Sequence, residues 1–543
     1  MGRTVFWPNS GCYTDSVKEK FLNFYKAIAN NKYIVWLTTD KKRLAFLTTG
    51  FVLLVVITTL LLQSGRPAMD QQTKKQGMTF EVSIPQNTPT DDTVHIYFQN
   101  QQHYKMTKIA DYKFSITLSE TELNSDEDGQ LKYRYSRNGH NFNSADYLEP
   151  DTNDYFWTQK GRTTTFKSNY VQKDSVGRWR WFPAVDQPIE QTSSLVPIGS
   201  FTPRIGSTTF LSGQIIEDLY VEAFRDFFED TAAHMKNVGY RLVEIDPPWQ
   251  WTEEDGLPKV KNLVKDNPNY PDDATLKQEI LAFKKRGIKV MLGPQLCCNE
   301  LSTQNRSPQW WDAYFSETAN FLVHFAGLAE ETGVDYLHYA APVGYDEPDY
   351  SQRWSKVFGQ IRTVYSGKVG QMVWNFASDI GQIIPTANDI KWGDELDYFY
   401  IAIDTPLSLK DDPTDNELML AAGTMLDGAK QLYNEFNKPL FIRTTYFNVA
   451  KTWKGNSFYS IASIPQTSDS EKDLEDSKYS WSGQDLARVV QAYFRAIAER
   501  PWVVSYAQFS YGHWLTPLAA DLSVRGKPAE DIWKKWNNLI YAQ

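Results

Sequence analysis

From residue 206 onward the chain repeats one pattern, a short apolar run followed by a longer stretch with apolar residues at helical spacing. The runs are STTFLSG, YRLVEID, KVMLGPQ, DYLHYAA, GQMVWNF, DYFYIAID, PLFIRTTY and VVSYAQFSY. Helical stretches lie between them at 219–238, 275–286, 310–332, 350–365, 417–436 and 483–499, and the connection after GQMVWNF is the least helical. Near-continuous apolar strands alternating with amphipathic helices imply a parallel sheet covered on its faces. Eight pairs over about 340 residues predict a closed α/β (β/α)8 TIM barrel across 206–543. An open doubly wound sheet is the alternative, but no glycine-rich phosphate loop follows the first strand to support it.

The residues before the barrel divide into segments of different character. Residues 44–62, LAFLTTGFVLLVVITTLLL, carry no charge and no proline. As a helix they would rise roughly 28 Å, against a hydrocarbon core of about 30 Å, so one transmembrane helix is expected. A cleaved signal peptide has a shorter apolar region and a shorter charged lead than these forty-odd residues. Lys41, Lys42 and Arg43 abut the near end, and the far end has Arg66; this bias predicts a cytoplasmic N-terminal segment, 1–43, with the bulk of the chain extracytoplasmic, at the cell surface or in the periplasm. A possible amphipathic helix at 15–29 would lie on the membrane or pack on a protein partner, so residues 1–62 are candidates for contact with membrane proteins as well as the lipid bilayer. Residues 63–77 read as a polar linker. Residues 78–167 alternate apolar and polar positions in TFEVSIP, TVHIYFQ, YKFSITLS and QLKYRYSRNG, which predicts an N-terminal antiparallel β-sandwich. A connector, 168–205, carries Trp179 and Trp181 to the barrel.

Composition narrows the function classes. A net charge of −10 argues against nucleic acid as a partner. The three cysteines, Cys12 and the adjacent Cys297 and Cys298, form no disulfide framework or zinc pattern, and no cofactor is called for. Aromatic residues make up 14% of the chain, including 18 tryptophans. Sugar-binding proteins use such rings, because the apolar face of a pyranose stacks on them; aromatic-rich cores without a sugar also exist.

In a (β/α)8 barrel, functional groups gather at the C-terminal strand ends. Those ends offer Asp246, Trp249 and Trp251 after the second strand and Gln295 after the third. His338 and Tyr339 end the fourth, ahead of a loop with Asp346, Glu347 and Asp349. Trp374, Asn375 and Asp379 follow the fifth, Asp404 the sixth, and Tyr446 and Asn448 the seventh. Gln508, Tyr511, His513 and Trp514 close the eighth. Aromatic, amide, carboxylate and imidazole groups around one rim suit a polysaccharide or oligosaccharide. Each also has a plainer reading: Asp246 and Asp404 as loop-capping acids, Glu347 as a solvated acid, the histidines as hydrogen-bonded core or rim groups, and the tryptophans as packing.

The segments GYRLVEIDPPWQW, KRGIKVMLGPQ, WSKVFGQIRTVYSGKVGQMVWNF, LDYFYIAIDTPLS, KPLFIRTTY and AQFSYGHW resemble, in order and spacing, glycoside hydrolase family 113 of the large retaining clan, the β-mannanase-like enzymes. FEVSIPQNTPTDDTVHIYF and LKYRYSRNG more loosely resemble a starch-binding, family-20-like carbohydrate-binding module. The resemblance implies a glutamate at the end of the fourth strand and another at the end of the seventh, as acid/base and nucleophile roughly 5–5.5 Å apart. Here the fourth strand has Ala340 and Ala341 at that place and the seventh has Arg443 and Thr444. A methyl group can neither protonate a leaving oxygen nor take a proton from water, so the usual double displacement is not expected. Three readings stay open: a catalytically degenerate glycan-binding protein, an accessory subunit of a membrane or surface assembly, and a hydrolase acting on a β-mannan- or glucan-type polysaccharide with relocated acids. Asp246, Asp404 and Glu347 are the carboxylates for the last. Trp249, Trp251, His338, Trp374, Asn375, Tyr446, His513 and Trp514 are the candidate sugar contacts.

Overall fold

The computed structural model describes residues 77–98, 102–123, 129–139, 162–179, 181–183, 185, 195, 210–216, 222–262, 270–297, 301–341, 349–375, 390–455 and 481–542. All belong to one compact unit, Gly77–Gln543. The expected membrane helix at 44–62, the cytoplasmic segment before it and the linker up to residue 76 lie outside the described residues. Among the described residues no helix is long and apolar enough to cross a membrane.

Eight strands precede the barrel: β1 (Gly77–Ser83), β2 (Val94–Phe98), β3 (His103–Lys105), β4 (Thr107–Ala110), β5 (Lys113–Ser119), β6 (Gln130–Arg137), β7 (Arg162–Thr165) and β8 (Val171–Ser175). They form two four-stranded sheets, β4-β5-β1-β8 and β3-β2-β6-β7. The period-2 pattern explains what lies between them: Met78, Phe80 and Val82 of β1 share a buried cluster with Ile96, Phe114, Leu131 and Tyr133. The Tyr133 and Tyr135 hydroxyls both donate to Asp174 of β8, at 2.9 and 2.7 Å, and so tie one sheet to the other. The structure departs from the sequence reading in two ways. β8 falls in the expected connector, and it pairs with β1 in parallel rather than antiparallel. VQKDS is a polar edge strand, so it has no apolar alternation to announce it. Trp179 and Phe182, also from the connector, complete this core.

The barrel strands are β9 (Leu211–Ile216), β10 (Leu242–Ile245), β13 (Lys289–Leu292), β15 (Tyr336–Tyr339), β16 (Lys368–Asn375), β17 (Tyr398–Ile403), β18 (Leu440–Thr444) and β19 (Val503–Gln508). Each pairs in parallel with the next, and β19 closes on β9. The first strand thus runs a few residues later than STTFLSG suggests, and its polar Ser212 and Gln214 are fully buried. The outer ring holds α1 (Phe228–Val238), α2 (Asp273–Lys285), α3 (Pro308–Thr332), α4 (Tyr350–Val364), α5 (Asp415–Phe436), α6 (Gly483–Ala498) and a C-terminal α7 (Pro528–Tyr541). Local chemistry sets their ends. Asp272 caps α2 by accepting from Thr275 N, Ser307 and Pro308 start α3, and Thr414 with Glu417 forms a capping box on α5. Gly239 ends α1 at φ 97°, a conformation that favours glycine.

Alternate residues of each barrel strand go to two cores. Tyr398, Tyr400 and Ala402 join Leu242, Met291 and Phe441 inside the barrel; Phe399, Ile401 and Ile403 pack outward with the helices. The aromatic surplus does much of this packing: Phe494 stacks on Trp536, and Tyr506 on Trp533.

The structure adds a three-stranded side sheet to the expected strands. β11 (Pro248–Glu254) and β12 (Leu257–Lys261) form a hairpin, with β14 (Gln295–Cys297) on the other side of β11. The signal was present, since Asp255-Gly256 is the favoured hairpin dipeptide, and both residues have positive φ. The two-sheet region joins the barrel through buried contacts. Arg137 is fully buried, pairs with Asp92 at 2.5 Å, donates to Leu515 O at 3.1 Å and lies over the Phe182 ring. Leu515, from the loop after β19, packs against the core of the two sheets.

Candidate functional site

Reading inward-facing positions along β10 gives Leu242, Glu244 and, one residue past the strand, Asp246. The last two meet His338 of β15, Tyr400 of β17 and Arg443 of β18 at the C-terminal end of the barrel. His338 Nε2 lies 2.8 Å from Glu244 Oε1, so Nε2 carries the proton and donates to the carboxylate. Tyr400 donates to the other Glu244 oxygen. Gln295 donates to Asp246 Oδ2 at 2.8 Å. The Arg443 guanidinium reaches both acids, 3.9 Å from Glu244 and 3.8 Å from Asp246, and lies over the Phe509 ring at 4.1 Å. All five side chains are at most 2% exposed. Burial lowers the His338 pKa to about 4; Arg443 pushes it the same way and Asp246 opposes, so this imidazole is neutral near pH 7.

Gly293 makes the close approach possible. A Cβ there would fall 2.4 Å from Asp246 Oδ1 and 2.5 Å from His338 Nε2. Gly293→Ala is therefore expected to cost about 1–3 kcal/mol of stability by overpacking. Urea unfolding of the variant checks this, and an unchanged midpoint would refute the tight contact.

One ligand atom each from Glu244, Asp246 and His338 lies within 4.8 Å of the others, a spacing that suits a metal ion. The fit is nevertheless poor. Arg443 already supplies positive charge to both carboxylates, and His338 Nε2 is engaged by Glu244, so an ion would have to displace both contacts.

The remaining sequence candidates are placed differently. Asp404, at the end of β17, is half-buried, and burial raises its pKa while Arg443 pulls it down. Glu347 and Asp346 lie outside the described residues, as do the side chains of Trp374 and Asn375. Trp251 is buried and stacks on Tyr314 of α3 at 5.1 Å. Trp249 packs on Phe321, His324 and Phe325 of the same helix. Tyr446 is buried, its hydroxyl donating to Thr405 O at 2.6 Å. His513 is buried against Phe224, with Nδ1 3.1 Å from Thr231 Oγ1 and Nε2 3.7 Å from Glu279. Trp514 lies on Phe224 and Phe227. Trp251, Tyr446, His513 and Trp514 are thus buried in packing contacts, and Trp249 is partly buried. Wide apolar faces near a strand end are covered wherever a neighbouring helix offers a matching face. Of the expected residues, Asp246 and His338 are brought together; Glu244, Tyr400 and Arg443 complete the cluster. A charged residue inside the apolar run LVEID was the available signal for Glu244.

A closed parallel barrel with its polar cluster at the C-terminal strand ends has the architecture of a TIM-barrel enzyme. Residues 234–521, more than half the chain, match the sequence profile of Glycoside Hydrolase Family 113, and the chain belongs to that family. Among solved structures it is similar to a GH113 β-1,4-mannanase in a complex, 17% identical, covering 61% of this chain and 99% of that one at a TM-score of 0.45. It is also similar to the GH113 β-mannanase of Alicyclobacillus acidocaldarius in complex with ManMIm, 16% identical, covering 62% and 99% at 0.47. A hyperthermostable endo-1,4-β-D-mannanase from Thermotoga petrophila is 8% identical, covering 61% and 99% at 0.39. No curated protein matches the chain in sequence.

Proposed function

We propose that this chain is a membrane-anchored, extracytoplasmic member of family 113 that binds glycan without hydrolysing it. The observation that carries the reading is Arg443. The resemblance puts a nucleophilic glutamate at the end of the seventh strand; here a buried guanidinium faces Glu244 and Asp246. The fourth strand end supports the same reading, since Ala340 packs against the cluster inside the barrel. The two acids that are close together are engaged by Arg443, Tyr400, His338 and Gln295 and are almost fully buried, so neither is offered to a glycosidic oxygen.

The resemblance to β-mannanase-like enzymes makes manno-oligosaccharides the first ligands to try. The uncharged run at 44–62, with Lys41, Lys42 and Arg43 before it, supports anchoring with the barrel outside the cytoplasm. Full-length protein in lipid nanodiscs is expected to release no reducing ends from β-mannan above a heat-treated control, while binding mannotriose in calorimetry. Hydrolysis that disappears in Asp246→Asn or Asp404→Asn would overturn the non-catalytic reading. If no glycan binds and other membrane proteins copurify in fixed ratio, an accessory subunit is the better description. A hydrolase with relocated acids keeps one point in its favour, the half-buried Asp404, whose raised pKa suits a proton donor.

A further inference from the structure

Arg134 of β6 is 6% exposed, and its Nε is buried without a hydrogen-bond partner. Among the described residues no carboxylate pairs with this guanidinium. Three other arginines are buried among the described residues, and each is engaged. Arg137 pairs with Asp92, Arg443 faces Glu244 and Asp246, and Arg525 donates to Thr231 Oγ1 and to the His513 carbonyl. A buried charge is costly unless it is paired, and water supplies an acceptor but no counter-charge. Arg134 is therefore the buried cation for which the protein itself provides no anion among the described residues.

The strand register shows what surrounds it. Tyr97 of β2 lies opposite Arg134 on one side and His103 of β3 on the other; His95 lies between Ser136 and Lys105. These six positions alternate with Ile96, Tyr104 and Tyr135 of the sandwich core, so they share the other face of the sheet. None of them is acidic. Asp226, from the barrel, reaches Lys105 at 3.5 Å, but both side chains are more than half exposed, at 54% and 64%, so this pair is weak. His95 adds a second orphan. Its Nε2 is 3.1 Å from Thr93 Oγ1; with Thr93 donating, the ring proton sits on Nδ1, which is buried without a partner. Burial, with His103 and Lys105 beside it, lowers the His95 pKa to about 3, so the ring is a neutral donor. His95 and Arg134 are diagonal neighbours across the β2–β6 pair, roughly 7–8 Å apart. One oxyanion accepting a hydrogen bond of about 2.9 Å from each spans that gap.

We infer that this face binds one oxyanion, phosphate or sulfate, held by Arg134 and His95 Nδ1 with Lys105 at the rim. The inference does not rest on the proposed role of the barrel. It is tested with the full-length chain in a non-ionic, phosphate-free detergent at pH 7, titrated with inorganic phosphate and with sulfate in calorimetry at fixed ionic strength. At least one of the two should bind with 1:1 stoichiometry, and Kd should rise about tenfold or more in Arg134→Gln. The same anion should raise the Tm of the parent but not of Arg134→Gln, whereas sodium chloride at equal ionic strength should raise neither. Lys105→Ala, at an exposed position, should raise Kd about threefold, which keeps the site testable if Arg134→Gln fails to fold. Lys108→Ala, on the other sheet, should leave Kd unchanged. Glycerol phosphate binding as tightly as phosphate places an esterified group in the site; weaker binding places the free ion there, and both outcomes retain it. If neither anion binds the parent, or if Kd is the same in Arg134→Gln and Lys105→Ala as in the parent, the site is refuted. A rise in Tm that sodium chloride reproduces overturns it equally, since it would be screening alone.

Discussion

Arg443→Met is expected to lower the unfolding free energy by about 3–5 kcal/mol, because removal of one partner leaves buried carboxylates without their counter-charge. The native group is 2% exposed, and Glu244 and Asp246 are each 1% exposed, so water does not replace the lost guanidinium. Methionine keeps the aliphatic bulk beside Met372 and Phe509, which separates loss of charge from loss of packing. The penalty has a pH signature. With Arg443 gone, the two acids would hold their protons to higher pH in the folded state than in the unfolded one. The variant would then be least handicapped near pH 4 to 5 and increasingly so as the pH rises. Urea midpoints of parent and variant from pH 5 to 8 measure this; a difference that does not change with pH would mean the guanidinium acts by packing alone. The double variant Arg443→Met/Glu244→Gln should recover part of the loss. Removing both halves of a buried pair costs less than removing one.

The parent is expected to be most stable near pH 6.5 and to lose about 2 kcal/mol by pH 8, through Glu279 of α2. Burial lifts this carboxyl from 4.5 to about 8. His95, His338 and His513 move the other way, lowered by burial from 6.5 to about 3, 4 and 3. Between pH 4.5 and 6.5 the unfolded chain protonates the three imidazoles and the folded chain does not, while only the folded chain keeps the Glu279 proton. The unfolded state therefore binds more protons, and stability rises with pH. Burial also raises Asp404 and Asp521, which makes that rise shallower. Above pH 6.5 the imidazoles are neutral in both states. Glu279 stays protonated in the folded state after the unfolded chain has lost that proton, so stability falls until it ionises near pH 8. Glu279→Gln should flatten the alkaline limb in urea titrations between pH 6.5 and 9. An unchanged decline in that variant would assign it to another group.

Glu279 and His513 also show how far local sequence reaches. Glu279 sits in the amphipathic stretch 275–286, which predicts α2 within a residue or two of its observed ends, yet nothing in that stretch says that it meets His513 from the loop after β19. The side sheet is legible in Asp255-Gly256, the hairpin dipeptide that joins two of its strands. β8 is not, because a polar edge strand has no period to detect.

What the amino-acid order determined by itself was the repeating architecture. Apolar runs of strand length alternating with amphipathic helices admit few folds besides the closed barrel, and the order of its motifs led to family 113. It also showed the alanines and the arginine where the resemblance implies glutamates. Only the tertiary structure decided what the polar strand-end groups do. Asp246 and His338 come from strands far apart in sequence, and their partners Glu244, Tyr400 and Arg443 converge on them through barrel closure, which no local pattern records. The same closure, together with the packing of the helical ring, turned Trp251, Tyr446, His513 and Trp514 into the protein. The direction of a side chain at a strand end is set by whichever neighbour covers it, and that neighbour comes from elsewhere in the chain.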